Sequence, residues 1–256
     1  MTGIGIELER MLLSARKTGN LAAVPAGDVT LDEAYAIQRA LHDRSQLPIM
    51  VWKIGLTADG PRRAKGANEP IVGRLPASAI FSDRSEVSFA GNEMYAEAEL
   101  VFELDADLPP RGTPYGRDDV VGAIRSLYAG IELVATRFAH SELPLGLLVA
   151  DNAMAHGLLL GRKLAAGWED RFADLPASLA RNDEAPIEGS TARAMGNPLD
   201  ALVWLANWLC ENGEGGLRRE QLVASGTCTG ITEIFPGDRL AVTFDHADSA
   251  RVSLSA

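Results

Sequence analysis

The run Tyr-Ala-Glu-Ala-Glu-Leu-Val-Phe-Glu-Leu, at residues 95–104, constrains the fold more than any other part of the chain. Apolar residues occupy every second position of this run, and a period of two predicts a β-strand with two unlike faces. One face can lie on a hydrophobic core. The other face then carries Glu97 and Glu99 side by side, separated by about 7 Å along the strand.

Two carboxylates held at this spacing repel each other, and a cation between them would remove the repulsion. A hard divalent ion that prefers oxygen ligands, above all Mg²⁺, suits such a pair. The alternative interpretation is a solvated strand face that is merely acidic. Because the chain has a formal net charge of -11, this run alone leaves both interpretations open.

The composition is typical of a globular protein, with 46% hydrophobic and 23% charged residues in a chain of 256. This length is enough for one large domain or for a small domain and a larger one. No apolar run approaches the roughly 20 residues that cross a bilayer, and the N-terminus does not have the pattern of a secretory signal. We therefore expect a cytoplasmic protein without a membrane partner.

The charged residues and the cysteines exclude further classes. Acidic residues outnumber basic ones by 35 to 24 and no lysine or arginine cluster interrupts them, which argues against a nucleic-acid partner. Cys210 and Cys228 are too few for a disulfide framework or a cysteine-based zinc site. The four histidines lack ligand-like spacing. Because the chain is acidic overall, binding of an anionic substrate would require a local positive charge from a metal ion or from a lysine or arginine at the site.

The apolar pattern divides the chain into a predicted N-terminal helical layer, residues 1–46, and a catalytic domain, residues 47–256. Helices are predicted over residues 4–17 and from Thr30 to about Arg44, the second opened by a capping box of Thr30 and Glu33. Further helices are predicted at 61–67 and 118–128, and from Asn197 to about 212. Strands are predicted at 49–57, 69–76, 87–89, 95–104, 130–138, 145–150 and 157–160, with a turn at 90–92, strands and loops over 165–189, and three strands after residue 220.

Two charged residues stand alone within apolar strand patterns. Lys53 lies in the middle of Ile-Met-Val-Trp-Lys-Ile-Gly at residues 49–55, and Glu132 lies among apolar neighbours at 130–138. Burying either charge is costly unless it meets an opposite charge or a ligand. The Lys53 ammonium either reaches solvent at the strand end or points into a site. Glu132 needs a partner, and a site at Glu97 and Glu99 would give it one.

Eight short motifs follow one another along nearly the whole chain. In this order they resemble the fumarylacetoacetate hydrolase superfamily and, within it, the branch of 2-oxopent-4-enoate hydratases and 4-oxalocrotonate decarboxylases. Each motif is weakly specific by itself, whereas the ordered set is specific. The motifs are Trp52-Lys53-Ile54-Gly55-Leu56-Thr57, Pro70-Ile71-Val72-Gly73, Glu97-Ala98-Glu99, Ile131-Glu132 with Arg137, Asp151-Asn152, Gly196-Asn197-Pro198, Ser225-Gly226-Thr227 and Pro236-Gly237-Asp238.

The resemblance implies an α+β fold: a mixed, strongly curved β-sheet roll with flanking helices behind the N-terminal helical layer. It also implies a divalent cation, Mg²⁺ or Mn²⁺, held by three carboxylates. These ligands fall on Glu97, Glu99 and Glu132, the same residues that the strand patterns single out.

The resemblance further implies a small 2-oxo or 2-hydroxy carboxylate as substrate, chelated through its carboxylate and the adjacent oxygen. A metal there would stabilise the enolate that forms when a proton moves or a C–C bond breaks beside the carbonyl. Lys53 matches a lysine that reaches the site in relatives and would pair with the substrate carboxylate or relay a proton. Thr227 and Arg74 are weaker candidates for substrate contact, and Arg74 is equally consistent with a surface residue.

The chain departs from the family pattern at positions that affect the chemistry. Hydratases usually have an aspartate, thought to help move protons, where Ile71 stands, and decarboxylases have an apolar residue there. Met154-Ala155 replaces a small hydroxyl pair and Ala135 replaces an aspartate, so the substrate pocket is expected to be less polar, with Ile71 and Met154 at the substrate. The neighbouring His156 would supply a lost donor or serve a structural role.

Four functional hypotheses follow. The first is a metal-dependent hydratase of aromatic-compound catabolism, the commoner role across the full-length resemblance. The second is a 4-oxalocrotonate-type decarboxylase, which Ile71 favours. The third is an acylpyruvate C–C hydrolase. This activity would need a His/Glu pair that activates water, and His42 lies too early in the chain to match that role well. The fourth is a non-catalytic partner subunit, consistent with the lost polar residues.

The resemblance also makes predictions about assembly. Members of this family form homo-oligomers, and hydratases and decarboxylases of this branch can form complexes with each other. We therefore expect a homo-oligomer and a complex with a sister pathway enzyme.

Overall fold

The computed structural model of the protein describes residues 2–89, 93–165 and 170–255. In these residues the fold is α+β, with a strongly curved mixed sheet of eight strands, a second sheet of five strands and flanking helices. The predicted β-roll is therefore confirmed. None of the described helices is both long and apolar enough to cross a membrane.

The helices are α1 (Gly3–Thr18), α2 (Leu31–Asp43), α3 (Asp59–Ala64), α4 (Arg117–Val121), α5 (Leu145–Ala150) and α6 (Pro198–Glu211). The strands are β1 (Ile49–Gly55), β2 (Ile71–Pro76), β3 (Ile80–Ser82), β4 (Glu86–Ser88), β5 (Met94–Leu104), β6 (Ile124–Ala135), β7 (Ala155–Ala165), β8 (Pro176–Arg181), β9 (Ile187–Ser190), β10 (Leu222–Thr227), β11 (Thr232–Ile234), β12 (Arg239–Phe244) and β13 (Ala247–Ser255).

Strand β5 lies in the middle of the larger sheet, whose order is β2-β1-β10-β5-β6-β7-β3, with β11 also paired to β5. Its residues at even positions, Ala96, Ala98, Leu100 and Phe102, are completely buried in the hydrophobic core. The opposite face of β5 carries Glu97 and Glu99, as the period of two predicts. The smaller sheet, in the order β4-β13-β12-β8-β9, lies away from these residues in the sheet pairing.

Of the two N-terminal helices, α2 contacts the larger sheet through hydrogen bonds to β2 and packs on α5. Helix α2 begins at the N-cap Thr30, whose hydroxyl accepts from the Glu33 N–H, so the predicted start is confirmed. The buried Gln38 amide of α2 donates to the carbonyls of Val72 in β2 and Val149 in α5, at 2.9 Å each. The helices share one hydrophobic core with the sheet. The division of the chain at residue 46 stays a prediction.

Two predicted elements are wrong. The helix predicted at 118–128 ends at Val121, and residues from Ile124 onward form β6, because they pair with β5 over nearly its whole length. The strand predicted at 145–150 is the buried helix α5, whose first N–H groups at Gly146 and Leu147 donate to the Asp28 carboxylate. A short, continuously apolar run does not distinguish a buried strand from a buried helix.

Smaller differences concern element ends. Helix α3 begins at Asp59 and ends at Ala64, slightly before the predicted bounds, and four strands rather than three follow residue 220. The predicted α6, capped by Asn197 with Pro198 in its first turn, is confirmed. The predicted turn at 90–92 lies outside the described residues, as does part of the region predicted at 165–189.

Replacing Gly73 by alanine is expected to destabilise the protein. Gly73 lies opposite Lys53 in the β1–β2 pair, and a Cβ there would lie 2.6 Å from the Asn152 carbonyl oxygen and 2.8 Å from Lys53 Cγ. Overpacking of this kind costs about 1–3 kcal/mol. Urea unfolding should show this loss for Gly73→Ala. The control Gly60→Ala, in α3 with no heavy atom within 4 Å of the added methyl group, should lose nothing, and equal stability of the two variants would contradict the packing argument.

Candidate metal centre

Three carboxylates meet on one face of the larger sheet. Glu97 of β5 lies directly opposite Glu132 of β6 in the antiparallel pair, and Glu99 is two residues further along the same face. One carboxylate oxygen from each of the three lies within 4.8 Å of the others. Their number, element type and mutual distance suit a divalent cation that takes oxygen ligands.

The Lys53 ammonium points into this acidic cluster. Lys53 is 3% exposed, and its Nζ lies 3.2 Å from Glu132 Oε1. Of the two interpretations that the sequence leaves open, the structure therefore selects a lysine that faces the site. Burial opposes the charge of the ammonium, but the attraction of Glu132, Glu97 and Glu99 outweighs it and raises the Lys53 pKa.

The cluster retains acceptors that the protein does not satisfy. Among the described residues, Glu99 Oε1 and Glu132 Oε2 are buried and accept no hydrogen bond. The Lys53 ammonium forms an ion pair with Glu132 and none within 4.0 Å with Glu97 or Glu99. Three carboxylates and one ammonium leave a formal charge of -2 when all are ionised, and a divalent cation would balance it. The residues present therefore fit a divalent metal ion.

Backbone geometry fixes the position of Glu99. The Gly226 N–H donates to Glu99 Oε2 at 3.0 Å. Gly226 has φ +110°, and a Cβ at this position would lie 2.3 Å from Thr57 Oγ1, so only glycine fits there. One carboxylate oxygen is thus held by the chain, and the other faces the cluster.

Burial and mutual repulsion favour protonated carboxyls when no cation is present. Burial, followed by repulsion from Glu132, raises the pKa of Glu97 to about 7, while Lys53 and the Thr227 hydroxyl act in the opposite direction. The same two causes, with repulsion from Glu97, raise the pKa of Glu99 well above its usual range. A bound cation would displace these protons.

The cluster lies at one side of a pocket of about 420 Å³. Its walls are mainly apolar and include Ile71, Val134, Leu148, Met154 and Ile231. Polar groups of the lining are Lys53, Thr57, Lys65, Tyr95, Glu97, Ser141 and Thr227. The pocket can hold a small organic acid, with its polar end at the carboxylates and its remainder against apolar side chains.

One wall of the pocket is a strained turn. Asn152, Ala153 and Met154 have φ of 61°, 51° and 58° in succession, a left-handed conformation that costs roughly 1–2 kcal/mol per residue outside glycine. The Asn152 side chain holds the turn in place, because it accepts from the Arg74 N–H at 3.0 Å and donates to the Arg74 carbonyl at 2.8 Å. Asp151, the residue before the turn, is held by an ion pair with Arg137 at 2.7 Å. The turn brings Ala153 and Met154 to the pocket.

The structure brings seven of the eight predicted site residues together. Lys53, Glu97, Ile71, Met154 and Thr227 line the pocket, and Glu99 and Glu132 complete the cluster behind Glu97.

Arg74 is the exception, because its guanidinium binds Glu214 at 2.9 and 3.0 Å and Gln38 at 2.9 Å. It is 4% exposed and does not line the pocket. Arg74 is therefore neither a substrate contact nor a surface residue but part of a buried ion pair. The sequence gives no sign of this pair, since Glu214 lies far along the chain.

Both candidate histidines lie in a separate cavity of about 570 Å³, on the other side of the strained turn. His156 is beside Arg137, and burial followed by that positive charge lowers the pKa of His156 to about 4. A neutral imidazole outside the pocket does not replace the lost hydroxyls.

Tyr95, Ser141 and Lys65 are pocket residues that sequence reasoning missed. A signal existed for Tyr95, because it shares the period of two with Glu97 and Glu99. Ser141 and Lys65 come from loops outside the strands, where the sequence carries no such pattern.

A curved β-roll with a carboxylate triad and a buried lysine at one side of an apolar pocket defines a candidate metal-dependent enzyme. No family model matches the chain. Individual relatives do match it. It is 28% identical over 235 residues to 2-keto-4-pentenoate hydratase of Burkholderia vietnamiensis, covering 90% of this chain and 88% of the relative. It is 27% identical over 226 residues to 4-oxalocrotonate decarboxylase of Pseudomonas putida, covering 87% and 84%.

A solved structure shows the same fold. The 4-oxalocrotonate decarboxylase of Pseudomonas putida G7, complexed with magnesium and adipate, superposes with a TM-score of 0.88 at 24% identity, covering 99% of this chain and 98% of the other. The resemblance to 2-oxopent-4-enoate hydratases and 4-oxalocrotonate decarboxylases is confirmed, and solved structures that include a fumarylpyruvate hydrolase share the fold. The expectation of an enzyme of the lyase class is confirmed with it.

Neutralising any one of the three carboxylates is expected to weaken cation binding. Glu97→Gln, Glu99→Gln and Glu132→Gln should each reduce Mg²⁺ affinity by about 10-fold or more, since even groups that only orient metal ligands have effects of this size. Calorimetric titration and the rise in melting temperature with Mg²⁺ measure the affinity.

Glu103→Gln is the matched control for these variants. Glu103 lies on the same face of β5 but binds Arg125 at 3.2 Å and Tyr128 at 3.0 Å. It should retain full affinity. Equal affinity in all four variants would contradict a site at the triad.

The contribution of Glu97 to the stability of the metal-free protein is expected to fall as pH rises from about 4.5 to about 7. The folded-state pKa of Glu97, about 7, lies above the ordinary 4.5, so the folded state binds more protons than the unfolded state in this window and loses stability as they dissociate. Glu99 acts in the same direction. Urea unfolding of the parent protein and of Glu97→Gln between pH 4.5 and 8 measures this contribution as a difference, because groups such as His156, with a folded-state pKa of about 4, act in the opposite direction in both proteins. The free energy of unfolding of the parent protein relative to Glu97→Gln should fall as pH rises, and excess Mg²⁺ should reverse this trend. A relative stability that rises with pH in the absence of metal would refute the assignment.

Proposed function

We propose that the protein is a divalent-metal-dependent lyase acting on a small 2-oxo-enoate or 2-hydroxydienoate, first of all as a 2-oxopent-4-enoate-type hydratase in aromatic-compound catabolism. The observation that supports this most is the carboxylate triad, with buried oxygens that the protein leaves without partners. The triad opens into a pocket sized for a small acid.

Glu97, Glu99 and Glu132 would hold the cation, Mg²⁺ or Mn²⁺. When bound, the cation supplies a Lewis acid for the 2-oxo group and the neighbouring carboxylate. The three glutamate carboxylates lie at one side of the pocket, so a substrate acid held there would extend along the apolar lining residues.

Lys53 has two roles in this proposal. Its ammonium neutralises part of the triad through Glu132, and it lines the pocket where the substrate carboxylate would lie. A buried ammonium with a raised pKa keeps its proton at neutral pH, so it acts as a hydrogen-bond donor and a positive charge. The Thr227 hydroxyl lies on the same side of the pocket.

The apolar walls exclude bulk water from the substrate chain. Ile71 is 3% exposed and Met154 6% exposed, and neither can donate or accept a proton. Water exclusion strengthens electrostatic interactions within the pocket. The turn at 152–154 holds Met154 in place without a flexible loop.

A 4-oxalocrotonate-type decarboxylase is the second candidate. The apolar side chain of Ile71 in the pocket wall supports it, because loss of CO₂ is favoured where a carboxylate is poorly solvated. The sequence similarity to relatives of both activities is nearly equal, at 28% and 27%. Hydratase remains first because polar hydroxyl groups line the pocket away from the metal cluster.

Incubation with Mg²⁺ and each substrate type separates the two candidates. The expected outcome is conversion of a 2-hydroxydienoate to a hydroxylated 2-oxo acid without CO₂ release, measured by loss of dienol absorbance and by product analysis. Glu97→Gln should lower the rate by about 100-fold or more, as expected when charge stabilisation is removed, while Glu103→Gln should not.

Other outcomes identify the alternatives. CO₂ release from a 2-oxo diacid without water addition would replace the hydratase by the decarboxylase. Cleavage of an acylpyruvate would support a C–C hydrolase. Absence of activity in both the parent protein and Glu97→Gln, with no effect of Mg²⁺ on stability, would support a non-catalytic partner subunit. A cytoplasmic location, a homo-oligomer and a complex with a sister enzyme remain predictions.

A further inference from the structure

Two hydroxyl groups face each other in the pocket, away from the carboxylate triad. Tyr95 precedes Glu97 on the same face of β5, and its cross-strand partner, Val134, also lines the pocket. The Tyr95 hydroxyl lies 2.9 Å from Ser141 Oγ, within hydrogen-bond distance. This hydroxyl pair, Tyr95 and Ser141, lines the same pocket as Glu97 and Lys53.

The other polar groups of the described lining already have roles or lack the necessary chemistry. Lys53, Glu97 and Thr227 belong to the metal end of the pocket. The Thr57 hydroxyl belongs to the same end, because it lies beside Gly226, whose N–H binds Glu99. The Lys65 ammonium donates to the Leu143 carbonyl at 3.0 Å, and an ammonium cannot accept a hydrogen bond. A hydroxyl group both donates and accepts. Tyr95 and Ser141 can therefore orient a water molecule, whereas Lys65 cannot accept a proton from it.

A carboxylate behind the pair connects it to the surface. Glu93 Oε2 accepts from the Ser141 N–H at 2.8 Å and from the Tyr95 hydroxyl at 3.4 Å. Glu93 is half-buried, so the two hydroxyls and this carboxylate form a line of polar atoms from the pocket to solvent. The Glu93 contacts also fix the orientation of both hydroxyls.

We propose that the Tyr95–Ser141 hydroxyl pair holds the water molecule that adds to C-4 of the substrate, the carbon two bonds beyond the 2-oxo carbon. This inference rests on the proposed function. The apolar residues of the same pocket, including Ile71 and Met154, offer no atom that could orient a water molecule. The 2-hydroxydienoate first takes up a proton at C-5 and loses its 2-hydroxyl proton, which gives a 2-oxo-3-enoate whose double bond is conjugated with the 2-oxo group. The water oxygen then bonds to C-4 and the alkene electron pair moves toward the 2-oxo group. The released water proton leaves along the hydroxyl pair toward Glu93 and solvent, and C-3 takes up one proton from solvent, so that one water is added in total.

Tyr95→Phe is expected to lower the kcat for water addition by about 10-fold or more, because a positioned proton-transfer group contributes roughly 10²–10⁴-fold. Its KM should change much less, since the carboxylate end of the substrate binds elsewhere. Ser141→Ala should show a loss in the same direction. Tyr128→Phe is the control, because the Tyr128 hydroxyl binds Glu103 outside the pocket, and it should keep the parent kcat.

Binding of oxalate in the presence of Mg²⁺ separates a local effect from misfolding. Oxalate reaches only the metal end, so Tyr95→Phe and Ser141→Ala should bind it with a Kd within about twofold of the parent protein, as expected for distant, independent sites. A parallel loss of oxalate binding and kcat in both variants would show a structural role and overturn the proposal. Unchanged kcat in Tyr95→Phe and Ser141→Ala would overturn it as well.

Hydrogen–deuterium exchange at C-3 of 2-oxobutanoate by the parent protein tests the proposed function independently. Mg²⁺-dependent exchange that Glu97→Gln abolishes, together with water addition that depends on Tyr95, supports both proposals. If exchange occurs and water addition is as fast in Tyr95→Phe and Ser141→Ala as in the parent protein, only the proposed role of the hydroxyl pair is overturned. Absence of both exchange and water addition overturns both.

Discussion

The meeting of three like charges in one sheet, with Glu99 and Glu132 buried and Glu97 half-buried, is the constraint on which the rest of the structure depends. Glu97, Glu99 and Glu132 are brought together by the β5–β6 pairing register, and the protein supplies one cation, Lys53, against them. Removing charges from water is costly unless they are compensated. The residual negative charge and the unpaired oxygens make the centre incomplete without either protons or a divalent ion, so cation binding and proton binding compete for the same atoms.

Access to this centre depends on local backbone features that cannot vary freely. Gly73 leaves space for the Lys53 side chain, and Gly226 approaches Thr57 so closely that a methyl group would collide with it. The left-handed turn that ends at Met154 is held by hydrogen bonds from Asn152 to a neighbouring strand. Such strain persists only where the surrounding structure fixes it. The core of the roll therefore serves to hold a few side chains in positions that the isolated segments would not adopt.

The two ends of the pocket differ in chemistry. At one end the carboxylates favour a cation and the polar head of an acid, while the central walls at Ile71 and Met154 are apolar. Beyond them, Tyr95 and Ser141 introduce hydroxyl groups. Apolar walls alone suit decarboxylation, whereas hydroxyls that can orient water suit hydration. The choice between these two reactions thus depends on the far end of the pocket rather than on the metal ligands.

The sequence by itself determined the strand of the candidate metal site, because a period of two places Glu97 and Glu99 on one face whatever the tertiary context. The high cost of a lone buried charge likewise identified Lys53 and Glu132 as residues that need partners. Only the tertiary structure decided which partners they have, since strand register sets Glu132 opposite Glu97. It also decided that α5 is a helix and that Arg74 is buried in an ion pair with Glu214. These outcomes depend on contacts between segments far apart in the chain, which local propensity and periodicity do not encode.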